Sequence, residues 1–357
     1  MSIVAIQLND QPLNLPDVTT TPGENVLKLA YDRKNWPRVT INNQNVNSVD
    51  GKTWKITLPV GLSTLRIQHW NDATQVNDTD KTFKIVANRP PEQSKMQWGF
   101  VANFEDNEDF VIETCAKLGV KFVRLWISPM ADITTRQVAV LRKYKNAGIK
   151  IILTVQPSGN WYLNKTDVGG WAKRNAIVIN SNVDILGAGN EFNFGDYRPE
   201  DLGGADWHQA YVDKYLKPIK AAVTAPVASV PIAYNANPGL YEIDYQKLRA
   251  AGAFQVADYC DVHPYSSPAN VDAVGEQMAK AKAISGLPMI STEFNIVTAT
   301  PDADWVTAYP KHVANAKKNL TIACYYRCVK IRDNQKALIS SSGNKLDFYY
   351  DTFKAAM

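Results

Sequence analysis

At 357 residues, 45% of them hydrophobic and 21% charged, the chain has the length and apolar content for a sizeable core. A formal net charge of +4 without any Lys/Arg run argues against nucleic-acid binding. No apolar stretch reaches the roughly 20 residues of a membrane span, and MSIVAIQLNDQ lacks the basic and apolar regions of a classical signal peptide, which leaves localisation open.

In chain order, residues 1–88 read as all-β. Short alternating runs at 2–8, 26–31, 38–41, 53–58, 64–70 and 82–86 are separated by Asn, Asp, Gly and Pro. That spacing predicts a small immunoglobulin-like sandwich. Trp36 and Trp70 are candidate sugar platforms or core aromatics of a spacer domain. NRPPEQSK, centred on residues 89–95, carries two prolines and reads as a linker.

From residue 96 to 357 strands and helices alternate, which predicts a parallel α/β sheet. Strands are expected at 96–103, 121–128, 150–156, 183–189, 228–235, 259–263, 289–292 and 323–329. Helices are expected at 106–118, 134–147, 207–223, 241–251, 271–285, 305–318 and 348–356, with a Gly-interrupted one within 165–182. Gly119 and Gly148 stand where a helix C-terminus favours glycine. Eight repeats over about 260 residues is the size of one (β/α)8 TIM barrel.

In such barrels the chemistry sits at the C-terminal strand ends. Those ends carry Arg124 and Trp126, then Gln156 followed by Trp161, then Asn190 and Glu191, Tyr234 and Asn235, His263 and Tyr265, Glu293, and finally Tyr325, Tyr326 and Arg327. Trp305 stands near the loop after Glu293. Glu191 and Glu293 are 102 residues apart, three strand–helix units if each takes roughly 34 residues. No GxGxxG follows a strand, and neither GxxxxGK nor GxSxG occurs. Cys115, Cys260, Cys324 and Cys328 form no CxxC pair and read as reduced core thiols; no metal or cofactor is expected. What remains is a pair of carboxylates among aromatics, the equipment of glycoside hydrolysis. The blander readings are a rim salt bridge for the two glutamates, a barrel brace for Arg124 and a structural role for His263.

With NE ending the fourth strand, TEF the seventh, Arg on the second and HPY on the sixth, residues 96–357 resemble the retaining glycoside hydrolases of clan A, which include the cellulase and mannanase family and family 39. That resemblance implies Glu191 as acid/base, Glu293 as nucleophile, Asn190 on the sugar 2-hydroxyl, and Arg124 and Tyr265 as partners of the nucleophile. Many members place a Trp on the eighth strand, where this chain has Tyr325 and Tyr326. The expected function is a retaining β-glycoside hydrolase acting on a poly- or oligosaccharide, with Gln156, Trp161, Tyr234, His263, Tyr325 and Trp305 also lining the substrate site. The alternative is a non-catalytic carbohydrate-binding or structural barrel, for example a phage-tail protein assembled on a virion or cell surface through its N-terminal domain.

Overall fold

The structure, a computed structural model, describes residues 3–8, 11–12, 17–20, 23–31, 37–42, 44–49, 53–58, 61–71, 76–87, 96–156, 167–194, 197–204, 206–234, 239, 241–297, 299–330, 337–338 and 349–357. The chain forms two compact units, Met1–Gln93 and Ser94–Met357. The linker at 89–95, Trp36, Trp161, Asn235 and the ring of Trp70 lie outside the described residues.

The first unit is all-β. Its strands are β1 (Ile3–Leu8), β2 (Gln11–Pro12), β3 (Asp17–Thr20), β4 (Gly23–Tyr31), β5 (Arg38–Ile41), β6 (Gln44–Val46), β7 (Thr53–Leu58), β8 (Gly61–Asn71) and β9 (Val76–Ala87). One sheet runs β2-β1-β4-β7 and is antiparallel. The other runs β3-β9-β8-β5-β6 and is antiparallel except for β3 beside β9. Burial follows the strand period of two in β4, β7 and β8, with Leu27 and Leu29, Trp54 and Ile56, and Leu65 and Ile67 inside, while on β5 Thr40 is buried together with Val39 and Ile41. Each sheet therefore buries one face.

The second unit alternates strand and helix. Its strands are β10 (Gln97–Val101), β11 (Phe122–Ile127), β12 (Lys150–Val155), β13 (Ile185–Ala188), β14 (Val227–Ala228), β15 (Ile232–Ala233), β16 (Cys260–His263), β17 (Met289–Phe294) and β18 (Ile322–Tyr325). All pairings are parallel, in the order β14-β13-β12-β11-β10-β18-β17-β16-β15. Val101, Phe122, Ile152, Ile185, Ala228, Ile290, Ile322 and Cys324 form one buried cluster drawn from seven of these strands. A sheet can bring that many strands to one cluster only by curling around it, as in a TIM barrel.

The fifth strand, expected as one run at 228–235, is broken into β14 and β15. Pro231, between them, has no N–H to give to a ladder. β14 pairs with β13 and β15 with β16, and Ala228 also bridges Tyr259, so both ends of the sheet meet in this segment. Side chains from neighbouring elements take over its backbone donors. Val230 N–H donates to Tyr211 Oη at 2.7 Å, Ile232 N–H to Tyr245 Oη at 3.3 Å and Ala233 N–H to Asn193 Oδ1 at 3.1 Å.

The helices are α1 (Glu108–Leu118), α2 (Thr135–Asn146), α3 (Val168–Arg174), α4 (Ala176–Asn182), α5 (His208–Tyr211), α6 (Lys217–Ala222), α7 (Tyr241–Ala250), α8 (Ala253–Val256), α9 (Val271–Ser285), α10 (Asp302–Asn319) and α11 (Tyr349–Ala356). Thr134 and Gln137 close a capping box on α2, and Gly119 ends α1 with φ 65°. The helix expected at 207–223 is α5 and α6 joined by a π-helical turn, Val212–Leu216. All four cysteines are free and buried in this unit.

Candidate active site

The site is built from strand ends. β13 runs through small residues, and a Cβ on Gly187 would stand 3.1 Å from Thr154 Oγ1. Beyond β13 the backbone turns sharply, with φ 112° at Gly189 and 48° at Glu191. The left-handed region costs an L-residue about 1–2 kcal/mol, so surrounding contacts hold Glu191 there. On β17 the pairing with β18 passes from Ser291–Ala323 to Phe294–Tyr325, one extra residue on β17. A bulge of this kind interrupts alternation. Thr292 and Glu293, adjacent in sequence, both bond into the site.

Arg124 lies beneath, fully buried on β11. Its Nε donates to Thr154 Oγ1 at 2.9 Å, Nη1 to Glu293 Oε1 at 2.7 Å and Nη2 to Asn190 Oδ1 at 2.7 Å. Tyr265 Oη donates to the other oxygen of Glu293 at 2.6 Å. His263 Nδ1 is 2.7 Å from Glu191 Oε1 and 4.0 Å from Glu293 Oε2. One oxygen of Glu191, one of Glu293 and a His263 ring nitrogen all lie within 4.8 Å of one another. Behind His263, Nε2 is 2.9 Å from Thr292 Oγ1, which donates to Asp261 Oδ2 at 2.7 Å.

The two glutamates occupy different electrostatic surroundings. Burial drives the Glu191 pKa above its ordinary value; the bond and charge of His263 counter this only in part, and the Glu293 charge adds to it. Burial also raises Glu293, but His263, the Arg124 guanidinium and the Tyr265 hydroxyl outweigh it and hold this carboxyl below its ordinary range. Burial lowers His263, yet the charges of Glu293, Glu191 and Asp261 bring it above the usual histidine value. Glu191, His263 and Glu293 have a metal-compatible spacing. Their donor atoms are already engaged, and the Arg124 cation against Glu293 opposes a second cation there.

The upper wall is aromatic. Trp126 is half-buried, with the Arg124 guanidinium carbon 4.1 Å from its ring centroid. Tyr326 meets Trp126 edge-on at 6.3 Å and Tyr265 at 6.0 Å.

Of the residues singled out from sequence, Arg124, Asn190, Glu191, His263, Tyr265 and Glu293 come together here. Gln156 is half-buried just past β12. Three expectations are corrected. Trp305 is fully buried on α10, stacked on Tyr309 at 4.5 Å, with its N–H on Asn295 Oδ1. Tyr325 is fully buried and packs on Tyr309 and Phe353; strand alternation turns it toward the helices and gives Tyr326 to the site. Tyr234 packs edge-on against Tyr241 of α7 at 5.5 Å, in the helix layer. Arg327 is bonded to Val329 O and Asn103 Oδ1, tying the loops after β18 and β10. Thr154, Asp261 and Thr292 were missed by sequence reasoning. Asp261, two residues before His263 on one strand face, was the available signal.

No protein-family model matches the sequence, and no curated protein is similar to it. Solved structures are similar in fold. One is a family 39 glycoside hydrolase from Bacteroides cellulosilyticus, at 13% identity over 98% of this chain and 82% of that one, with a TM-score of 0.55. A GH128 endo-β-1,3-glucanase from Sorangium cellulosum has 16% identity over 73% of this chain and 98% of that one, TM-score 0.53. An endo-β-1,4-mannanase from Thermotoga petrophila has 15% identity over 74% and 77%, TM-score 0.52. The likeness to these glycoside hydrolases is one of fold.

Proposed function

We propose that the barrel is a retaining β-glycoside hydrolase for an oligo- or polysaccharide, preceded by an immunoglobulin-like sandwich. The observation that carries this reading is the pair of carboxyl groups with oxygens within 4.8 Å, one raised and one lowered in pKa. Retaining enzymes hold their carboxyls about 5–5.5 Å apart, whereas inverting ones leave room for a water at about 6.5–9.5 Å. Opposed pKa shifts in neighbouring carboxyls separate an acid from a nucleophile.

In the first step a Glu293 oxygen attacks the anomeric carbon as the glycosidic C–O bond breaks, and the Glu191 proton passes to the leaving oxygen. In the second, Glu191 takes a proton from water, whose oxygen displaces Glu293 from the anomeric carbon. Asn190, fixed by Arg124, is placed to bond the 2-hydroxyl of the sugar, and Trp126 with Tyr326 offers apolar rings for a sugar face.

The test is a panel of aryl β-glycosides with Glu191→Gln and Glu293→Gln. Glu191→Gln should still be glycosylated by a dinitrophenyl glycoside, accumulate the intermediate, and be rescued by azide to a β-glycosyl azide, because azide needs no base. Glu293→Gln should give no retained product with or without azide. Rescue of Glu293→Gln instead would exchange the roles. Unchanged hydrolysis in both would remove the assignment, and no hydrolysis by the wild type would leave a carbohydrate-binding barrel.

A further inference from the structure

Resting on that reading, we propose that Asp261 and Thr292 are positioning residues that keep a proton on Nε2 of His263, leaving Nδ1 as the one ring atom that exchanges a proton with the acid Glu191. The argument is one of hydrogen-bond direction. Asp261 is fully buried and accepts twice from Thr292, from its N–H at 3.0 Å and from its hydroxyl at 2.7 Å. A threonine hydroxyl has a single proton. Given to Asp261, it leaves Thr292 Oγ1 only lone pairs for His263, so Nε2, at 2.9 Å, must carry the hydrogen of that contact. With Nε2 fixed as donor, the 2.7 Å contact between Nδ1 and Glu191 Oε1 holds either a carboxylic acid donating to a neutral ring or an imidazolium donating to a carboxylate. One proton is shared by that pair, and its supply to the leaving group is governed by the ring behind it.

Among the described residues, the charged groups that face this proton besides Glu191 are Glu293, Arg124 and Asp261. Glu293 lies 4.0 Å from Nδ1, Arg124 neutralises Glu293 from below, and Asp261 faces the far side of the ring. The hydroxyls of Tyr265 and Tyr326 are held neutral by burial, Tyr326 being pushed up to about 12. Burial pushes Asp261 itself up to about 6, so it is ionised and acceptor-only above that pH.

Asp261→Asn reverses the chain. The amide oxygen must face Thr292 N–H, which leaves the NH2 to donate to Thr292 Oγ1. The hydroxyl then turns its proton to Nε2, which becomes an acceptor, and the ring proton moves to Nδ1. There it donates to Glu191 Oε1, a bond that the carboxylate accepts more strongly than the acid, so the Glu191 pKa falls. The acid is weakened with no change to Glu191 or Glu293.

The test uses the full chain labelled with ¹⁵N-histidine, which gives only four imidazoles to assign. At pH 7–8 the wild type should show His263 Nε2 protonated at every point, and Asp261→Asn should show Nε2 bare and Nδ1 protonated. In parallel, Asp261→Asn should lose on the order of 10²–10⁴-fold on glycosides with poor leaving groups, move the basic limb of its pH–rate profile to lower pH, and keep its rate with a dinitrophenyl glycoside. Thr292→Val, which keeps the Asp261 charge but breaks the chain, should share the leaving-group dependence, and Thr292→Ser should restore wild-type behaviour. A bare Nε2 in the wild type, or one still protonated in a folded Asp261→Asn, overturns the proposal; if that variant does not fold, the wild-type spectrum and the Thr292 pair decide it. Absence of wild-type hydrolysis would strike the functional reading, while the tautomer, read on the same sample, independently decides the relay.

Discussion

Each of the three guanidinium nitrogens of Arg124 donates to a different strand end, at Thr154, Asn190 and Glu293. Arg124→Ala should therefore act twice, freeing Asn190 to turn and removing the cation that depresses Glu293. A carboxylate that loses its cation binds protons more tightly, so the acidic limb of the pH–rate profile should move up, and kcat should fall by about 10²–10³-fold, as for other lost electrostatic contacts. Arg124→Lys keeps the charge but not the fork, and should hold the limb near its wild-type position with a smaller loss of kcat. A profile unmoved in Arg124→Ala would show that Glu293 is not held ionised from below. At this scale the residues that meet in the site, Asn190 with Glu191 and His263 with Tyr265, stand where an apolar strand runs into polar residues, and Arg124 stands as a lone charge inside the apolar run FVRLWI. Thr292 was not legible in the sequence. The bulge that turns this residue beside Glu293 depends on strand register, and a one-residue offset leaves no mark in composition. Tyr325 and Tyr326 show the same limit, since which of two adjacent tyrosines faces inward is set by register alone.

Among the elements, the broken fifth strand is where the barrel depends most on single side chains. β14 and β15 have two residues each, and the donors around the break end on Tyr211, Tyr245 and Asn193 instead of a strand. Tyr211→Phe keeps the ring against Phe192 and Trp207 but leaves the buried Val230 N–H without an acceptor. The expected cost is about 1–3 kcal/mol by urea denaturation, with an unchanged slope. A loss below a few tenths would mean that water or another group replaces the hydroxyl. Strands such as β11 and β12, with apolar runs of branched residues, were legible close to their ends. The fifth was expected as one run; its break comes at Pro231, and the tyrosines that satisfy the donors beside it come from the helices on either side, 19 and 13 residues away, a pairing that only the folded arrangement fixes.

For the whole molecule, the division into Met1–Gln93 and Ser94–Met357 leads to an expectation about cooperativity. Each unit has its own buried strand faces or core, so residues 94–357 alone should fold and hydrolyse a small soluble substrate much as the full chain does. A properly folded fragment without activity would mean that the all-β unit completes the cleft. The sequence changes in the region of that division from alternating short strands to strand–helix repeats. The cysteines bear on how it can be watched. All four thiols lie in the second unit, and burial raises each of them, Cys115 and Cys260 up to about 12, so none is a thiolate in the native state. A maleimide reagent can reach them only when the barrel opens, and finds nothing to react with in residues 1–93. Their labelling is a built-in clock, timing the opening of the barrel alone, whatever the state of the domain in front of it.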